Sequence, residues 1–432
     1  MIVEFREAFN RLFSVEHYRL LLSRLNAQAG TDIEFRISET PIFLPKPLLD
    51  GLASAGAAMT KRLLAWPEYL SKAAESIPEG YRVAGKSAHP NFLTADFALI
   101  RTEQGELAPR LVEIQAFPSV YAYQSALAGE YASVFNLPVS DVPVAGGLGI
   151  FLGGHTQDSF EKLFRQTVLG SHQAANVVLL EVDPMHQKTL PDFLLTAKML
   201  GIAVVDIAEV VPVGDKLHYR NGTGELTPIH RIYNRAIADE MMARAVNLPF
   251  DLTSAWDVEW AGHPNWYFLI SKFSVPWLSL PEAGEAQADP VVPPAAFLED
   301  FLDGPGRDRL LAAGVPLPEG EDADTVYEHL LLKPLFSFAG KGIQFAPSRV
   351  ELLAIPEPDR RNYLLQQRMH FVPTIETPFG LTQAEIRILY LWPDGGELSP
   401  VLPLVRLGRG KMMGVDHNRN LQWVGASAAY WR

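Results

Sequence analysis

Two short stretches of this 432-residue chain carry residue types that could handle phosphate and a divalent cation. The first, residues 330–345, reads LLLKPLFSFAGKGIQF. Its pattern predicts an apolar strand bearing Lys333, a loop over 337–342 with Ser337, Gly340, Lys341 and Gly342, and a return strand. Gly340 and Gly342 let backbone approach an anion closely, and Lys333 and Lys341 supply positive charge. An ammonium inside LLLKPLF is costly to bury alone, and a phosphate is its natural partner. The second stretch is the pair DFALI and LVEIQAF. Asp96 begins the first segment. Glu113 and Gln115 stand two apart in the other, so they share one strand face. Pairing of the two strands would gather three oxygen donors, a set that suits Mg²⁺ beside phosphates. The bland alternative is a wet polar face, which the apolar neighbours Leu111, Val112, Ile114, Ala116 and Phe117 make uncomfortable.

Elements able to hold these residues are legible around them. Residues 1–85 show helical spacing (Phe9, Leu12, Phe13, then Tyr18, Leu21, Leu22, Leu25), with 41–47 (PIFLPKP) as a rigid connector. Residues 97–100 and 110–116 predict a hairpin, and 121–135 a helix. Between 176 and 207 the order strand, helix, strand predicts a parallel βαβ unit. A hairpin is expected over 216–233, a helix over 295–312, and mostly strands beyond 327.

Composition narrows the class. Hydrophobic residues make up 48% and charged residues 20%, as in ordinary globular chains. A net charge of -13 argues against nucleic acid or an anionic membrane as partner. The chain has no cysteine, which excludes disulfides, thiolate zinc sites and a thiol nucleophile, and fits a cytoplasmic location. MIVEFREAFNRLF has no apolar signal core. Oligomeric state is not legible. Residues 80–87 (GYRVAGKS) match the P-loop pattern letter for letter, but a polar helical segment precedes them and His89-Pro90 follows. Gly147, Gly149 and Gly153 miss the dinucleotide fingerprint by one position. Asp416-His417-Asn418 reads as a turn.

The segment DFALIRTEQGELAPRLVEIQAFPS resembles the metal-binding hairpin of circularly permuted ATP-grasp proteins such as glutathionylspermidine synthetase. That family carries an aspartate, then a glutamate and an asparagine two apart. Asp96 and Glu113 match, and Gln115 keeps a carbonyl oxygen in the asparagine's place. Thr94 departs from the pattern, because the family has a phosphate-contacting arginine there. The metal hairpin precedes the lysine flap, the permuted order. NVVLLEVDPMHQKTLPDFLLTAKMLGIAVVDI and PIHRIYNRAIADE resemble the family's Rossmann-like insert. NWYFLISKFSVPWLSLPE resembles its lysine-bearing helix, which would make Lys272 the first ATP lysine and Lys333 the second. NYLLQQ resembles the strand facing adenine, with Gln366 or Gln367 reading the exocyclic amine. Arg406 matches by order the arginine that steadies the transferring phosphoryl group, and Arg387 is the alternative. As bland readings, Lys272 is a surface lysine, the glutamines are exposed, and the arginines are paired with nearby acids.

The likeness covers residues 90–430, and 1–85 do not resemble the amidase domain fused to the bacterial enzyme. It implies an α/β (α+β), circularly permuted ATP-grasp fold with a Rossmann-like βαβ subdomain and a helical N-terminal region. The expected division is 1–88, 89–172, 173–265 and 266–432. The implied activity is ATP- and Mg²⁺-dependent joining of a small-molecule or peptide carboxylate to an amine through an acyl phosphate. A non-catalytic ATP-binding module and a small-molecule kinase are the alternatives.

Overall fold

The computed structural model describes residues 1–102, 104–140, 147–282, 285–320, 322–337, 340–410, 413, 418 and 420–432. Phe338 and Ala339 of the flap loop, and Asp416 and His417 of the polar triplet, lie outside the described residues.

A seven-stranded sheet organises the chain. Its order is Ile42–Leu44, Gly425–Trp431, Ser399–Gly408, Gly380–Leu391, Phe92–Arg101, Leu107–Gln115, with Ile375–Thr377 paired beside Gly380–Leu391. Side chains alternate across it with period two. One face sends Ala95, Phe97, Ile114, Ile386, Ile388 and Val405 into a core shared with helix Lys46–Leu64. Gly56 permits that approach, since a Cβ there would meet Tyr390 Oη at 2.3 Å and Ala95 Cβ at 3.0 Å. The other face divides along its length. At one end Leu389, Leu391 and Leu402 pack in the core that contains helix Tyr121–Val134. At the other end it carries Asp96, Glu113, Glu385, Arg387 and Arg406.

A second sheet is parallel throughout, in the order Glu259–Ala261, Arg231–Asn234, Val177–Glu181, Ala203–Asp206. Helix Leu190–Leu200 links the last two, ending at Gly201 in the left-handed conformation that favours glycine (φ 75°). A third sheet is antiparallel, in the order Ala295–Phe297, Tyr363–Gln367, Leu330–Pro334, Gln344–Phe345. Its outer face (Leu330, Leu332, Leu365) packs on Leu298, Phe301, Leu310 and Tyr327. Its inner face, with Leu331, Lys333 and Gln366 in register, turns the other way. This sheet stands across a cavity from the charged face of the first and, for that position alone, is termed the lid.

Several expectations change in three dimensions. Residues 41–47 are not only a connector, because fully buried Ile42–Leu44 pairs in parallel with Gly425–Trp431. Three residues are too few to show a period, and the partner strand lies at the far end of the chain. The expected hairpin over 216–233 splits at His230: Leu226–Ile229 pairs with Lys216–Arg220, while Arg231–Asn234 joins the parallel sheet. The helix expected over 295–312 is a strand, Ala295–Phe297, then helices Leu298–Leu302 and Pro305–Ala312. Gly304 (φ 106°) and Pro305 break the run between them. The P-loop look-alike at 80–87 opens no helix. Its Lys86 lies 4.5 Å from the centroid of the Trp266 ring, and Ser87 accepts the indole N–H. Among the described residues no helix is long and apolar enough to cross a membrane.

Candidate active site

Strand register builds the site. Asp96 stands opposite Arg387 on one side and Glu113 on the other, and Glu385 stands opposite Arg406. All five side chains therefore emerge on one face. Arg387 grips Asp96 with both arms, Nε to Oδ1 and Nη2 to Oδ2, each at 2.6 Å. Arg406 Nη2 donates to the same Oδ2 at 2.6 Å. It also lies 2.7 Å from Glu385 Oε1, within ion-pair range but outside hydrogen-bond geometry. Asp96 is 1% exposed, and its charge is spent on the two guanidinium groups. Burial alone would lower the pKa of Arg387, but the charge and hydrogen bonds of Asp96, with Glu113 behind them, raise it overall.

Across from this face the lid brings down its lysine. Lys333 is buried, and among the described residues its one hydrogen bond, to Val112 O, is 3.4 Å long. Lys272 comes from the turn between helices Trp266–Leu269 and Ser274–Leu278, not from within a helix. It donates to Ser337 O at 2.6 Å and Ser337 Oγ at 3.3 Å, and lies 3.9 Å from Glu113 Oε2. Lys272 thus ties the flap loop to the sheet. Gly340 and Gly342 are both left-handed (φ 74° and 79°), and a Cβ on Gly342 would meet Pro334 Cγ at 2.8 Å.

Between lid and sheet lies a cavity of about 340 Å³. Glu113, Gln115, Lys272, Lys333, Ser337, Gly340, Arg387 and Arg406 all reach its wall, as does Glu385. Asp96 lies behind the wall. Lys341 and Gly342 are exposed, outside the lining. Gln366 lies on the cavity side of the lid by register but outside the lining, fully buried, with neither amide atom hydrogen-bonded among the described residues. Gln367 points to the opposite side of the strand. Thr94 stands opposite Gln115, so no arginine occupies that position.

Sequence reasoning passed over two participants. Glu385 stands two residues before Arg387, and that spacing already put it on the same face. Ser119 accepts from Arg387 Nη1 at 3.3 Å, while its carbonyl accepts from the buried Arg235 at 2.7 Å. Nothing in the local sequence marks Ser119, because its role depends on the helix that follows it.

Electrostatics favour an anionic guest. Among the described residues, four cations line the cavity against two carboxylates, Glu113 and Glu385, in a chain of net charge -13. Burial would raise the Glu113 pKa, yet Lys272, Arg387, Arg406 and Lys333 together hold it below the usual carboxylate range. Glu385 is pushed up to about 6, first by burial and then by Asp96, against the pull of Arg406. Burial lowers Lys333 to about 8, with Glu113 opposing and Lys272 assisting. The sign of the resulting pH dependence follows. The ammonium is present below pH 8, and a bound polyanion stabilises it. Affinity for a triphosphate is therefore expected to hold below pH 8 and weaken above it, by at most about tenfold per pH unit. Calorimetric titration with ATP across pH 6.5–9.5 measures this, and a flat profile would remove Lys333 from the binding equilibrium.

Whether the site suits Mg²⁺ is decided by which oxygens are uncommitted. Among the described residues no group of three or more His, Cys, Asp or Glu is arranged to hold a metal ion. Asp96 already gives both oxygens to guanidinium groups, Oδ1 to Arg387 and Oδ2 to Arg387 and Arg406. Glu113 and Gln115 do face the cavity, and Mg²⁺ needs only one or two protein oxygens when phosphates and waters complete its shell. The residues present fit the cation with that smaller set.

No protein-family model matches the chain, and no curated protein sequence matches it. Its fold is similar to that of a solved structure. A glutathione synthetase-like effector from Globodera pallida, solved in its apo form, superposes with a TM-score of 0.53 over 96% of this chain and 97% of its own, at 10% identity. A Methylobacillus flagellatus protein that carries the name gamma-glutamylcysteine synthetase covers 83% of this chain and 84% of its own at 13% identity, with a TM-score of 0.33, too low to bear on the fold.

Proposed function

We propose that this chain is an ATP-dependent carbon–nitrogen ligase with a circularly permuted ATP-grasp arrangement. One observation carries the reading: Lys272, Lys333, Arg387 and Arg406, drawn from separate parts of the chain, converge on one cavity beside Glu113 and Gln115. ATP is bound under the lid as a substrate. Lys333 and Lys272 neutralise its phosphates, and the 337–342 loop covers them. Glu113 and Gln115 hold Mg²⁺, which when bound offsets charge on the phosphate oxygens. Gln366 meets the adenine edge. A substrate carboxylate oxygen forms a bond to the γ-phosphorus as the bond to the bridging oxygen of ADP breaks. The amine nitrogen then attacks the acyl carbon, inorganic phosphate leaves with the C–O electron pair, and the amine loses a proton to solvent. Arg406 and Arg387, aimed by Asp96, face the negative charge developing in both steps. Positioning and electrostatics carry such a reaction, with no protein nucleophile. The substrates on this reading are small-molecule or peptide acids and amines in the cytoplasm.

A second reading has its own observation. Asp96 is wholly engaged by arginines and Thr94 is no arginine, which favours a module that binds ATP without turning it over. ADP release from Mg·ATP across a panel of acid–amine pairs, with hydroxylamine as a trapping amine, separates the readings. Hydroxamate formation supports the ligase. ADP without hydroxamate points to phosphoryl transfer to a hydroxyl, and binding without ADP points to the silent module. No binding of ATP at all would overturn the proposal.

Gln366 gives an independent check. Two buried amide atoms without partners cost roughly 1–3 kcal/mol in the empty protein. Gln366→Leu is expected to raise the apo protein's denaturation midpoint while abolishing preference for ATP over GTP. Unchanged nucleotide preference in competition binding would take the glutamine out of the adenine site.

A further inference from the structure

Beside the central cavity lies a second one of about 210 Å³. The two share Phe345, Met369 and Phe371 as walls, so they form one space with an annex. Among the described residues the annex has no carboxylate in its lining; Arg368, His370 and Arg409 face it. Arg409 is held in place by hydroxyls, donating through Nε to Thr382 at 3.1 Å and through Nη2 to Thr377 at 3.2 Å, both threonines buried. The Arg368 guanidinium lies 5.5 Å from the centroid of the Phe345 ring. Neither arginine has a carboxylate in ion-pair range among the described residues. Elsewhere Arg235 and Arg309 each have one and Arg231 has two. In a chain with such an acidic excess, two guanidinium groups that face one pocket and have no carboxylate partner among the described residues invite an anion.

Resting on the ligase reading above, we propose that the annex receives a second carboxylate of the acid substrate. The substrate class is then a dicarboxylic acid: one carboxylate reaches the phosphates in the central cavity, and the other is held by Arg368 and Arg409. A monocarboxylate of the same length leaves both arginines unpaired. That difference is the source of selectivity, as in any site built for a polar group its guest lacks.

The test is calorimetric titration of the full chain, saturated with Mg²⁺ and a non-hydrolysable ATP analogue. The probes are matched pairs: succinate and butyrate, glutarate and valerate, adipate and hexanoate. At least one dicarboxylate is expected to bind roughly tenfold or more tightly than its partner, the scale of a charge-assisted contact. Arg368→Gln and Arg409→Gln are each expected to erase that preference while leaving affinity for the ATP analogue unchanged. Arg368→Gln keeps the test sound if loss of the threonine contacts unfolds the other variant. Equal binding within every pair, no dicarboxylate binding, or variants that weaken the nucleotide instead would each overturn the annex. Failure of the ATP analogue to bind in the first titration would instead sink the ligase reading, so the two outcomes are distinguishable.

Discussion

Lys333→Ala is expected to lower affinity for ATP by roughly ten- to hundredfold, the scale of a charged hydrogen bond to phosphate. The same change should leave the empty protein as stable as before, or more stable. Among the described residues, buried Lys333 has a single long hydrogen bond, to Val112 O, so the folded apo protein bears most of the cost of desolvating its ammonium. Removing the charge removes that cost along with the phosphate partner. This opposition of signs separates a ligand lysine from a structural one, whose loss would weaken both. Calorimetric titration with ATP and urea denaturation of the apo protein read the two quantities. Unchanged ATP affinity would detach the lid from the phosphates, and a large drop in apo stability would make Lys333 part of the scaffold.

Asp96→Asn is expected to act on the scaffold first. It leaves Arg387 and Arg406 without their shared carboxylate while keeping the side chain's size. Breaking a buried ion pair by removing one partner costs about 3–5 kcal/mol. Here one acid anchors two guanidinium groups. Urea denaturation should show a loss of that order, and ADP release should fall by at least the factor seen for Arg406→Ala. The two substitutions should not add, because Asp96 acts through Arg406. Full additivity of D96N with R406A in a double-mutant cycle would show that the aspartate serves something other than the arginines, and retained stability would deny the ion-pair geometry.

How the site was legible differs from residue to residue. Glu113 and Gln115 follow from alternation alone, since residues two apart on a strand share a face whatever the fold does. Lys333 was legible because an ammonium in an apolar run demands an explanation. Arg387 and Arg406 stood out as charges on apolar strands, but their partner did not. Asp96 belonged on sequence to an oxygen set for a cation, and only register shows it gripped by both arginines. Glu385 carried the right spacing yet looked like ordinary alternation.

What the chain determines by itself is local: the strand and helix periods, the glycines that open the flap loop, the lack of thiol chemistry, and the face each side chain takes once its strand is paired. Pairing is what the tertiary structure decided. Ile42–Leu44 reached the sheet through a partner at the far end of the chain, and Arg231–Asn234 left the expected hairpin for a parallel neighbour. The lid closed over Asp96's arginines with residues remote in sequence. Alternation has a period of two and is carried by each strand alone, whereas register is a contest among distant strands settled by which arrangement buries the most apolar surface and satisfies the most buried charge.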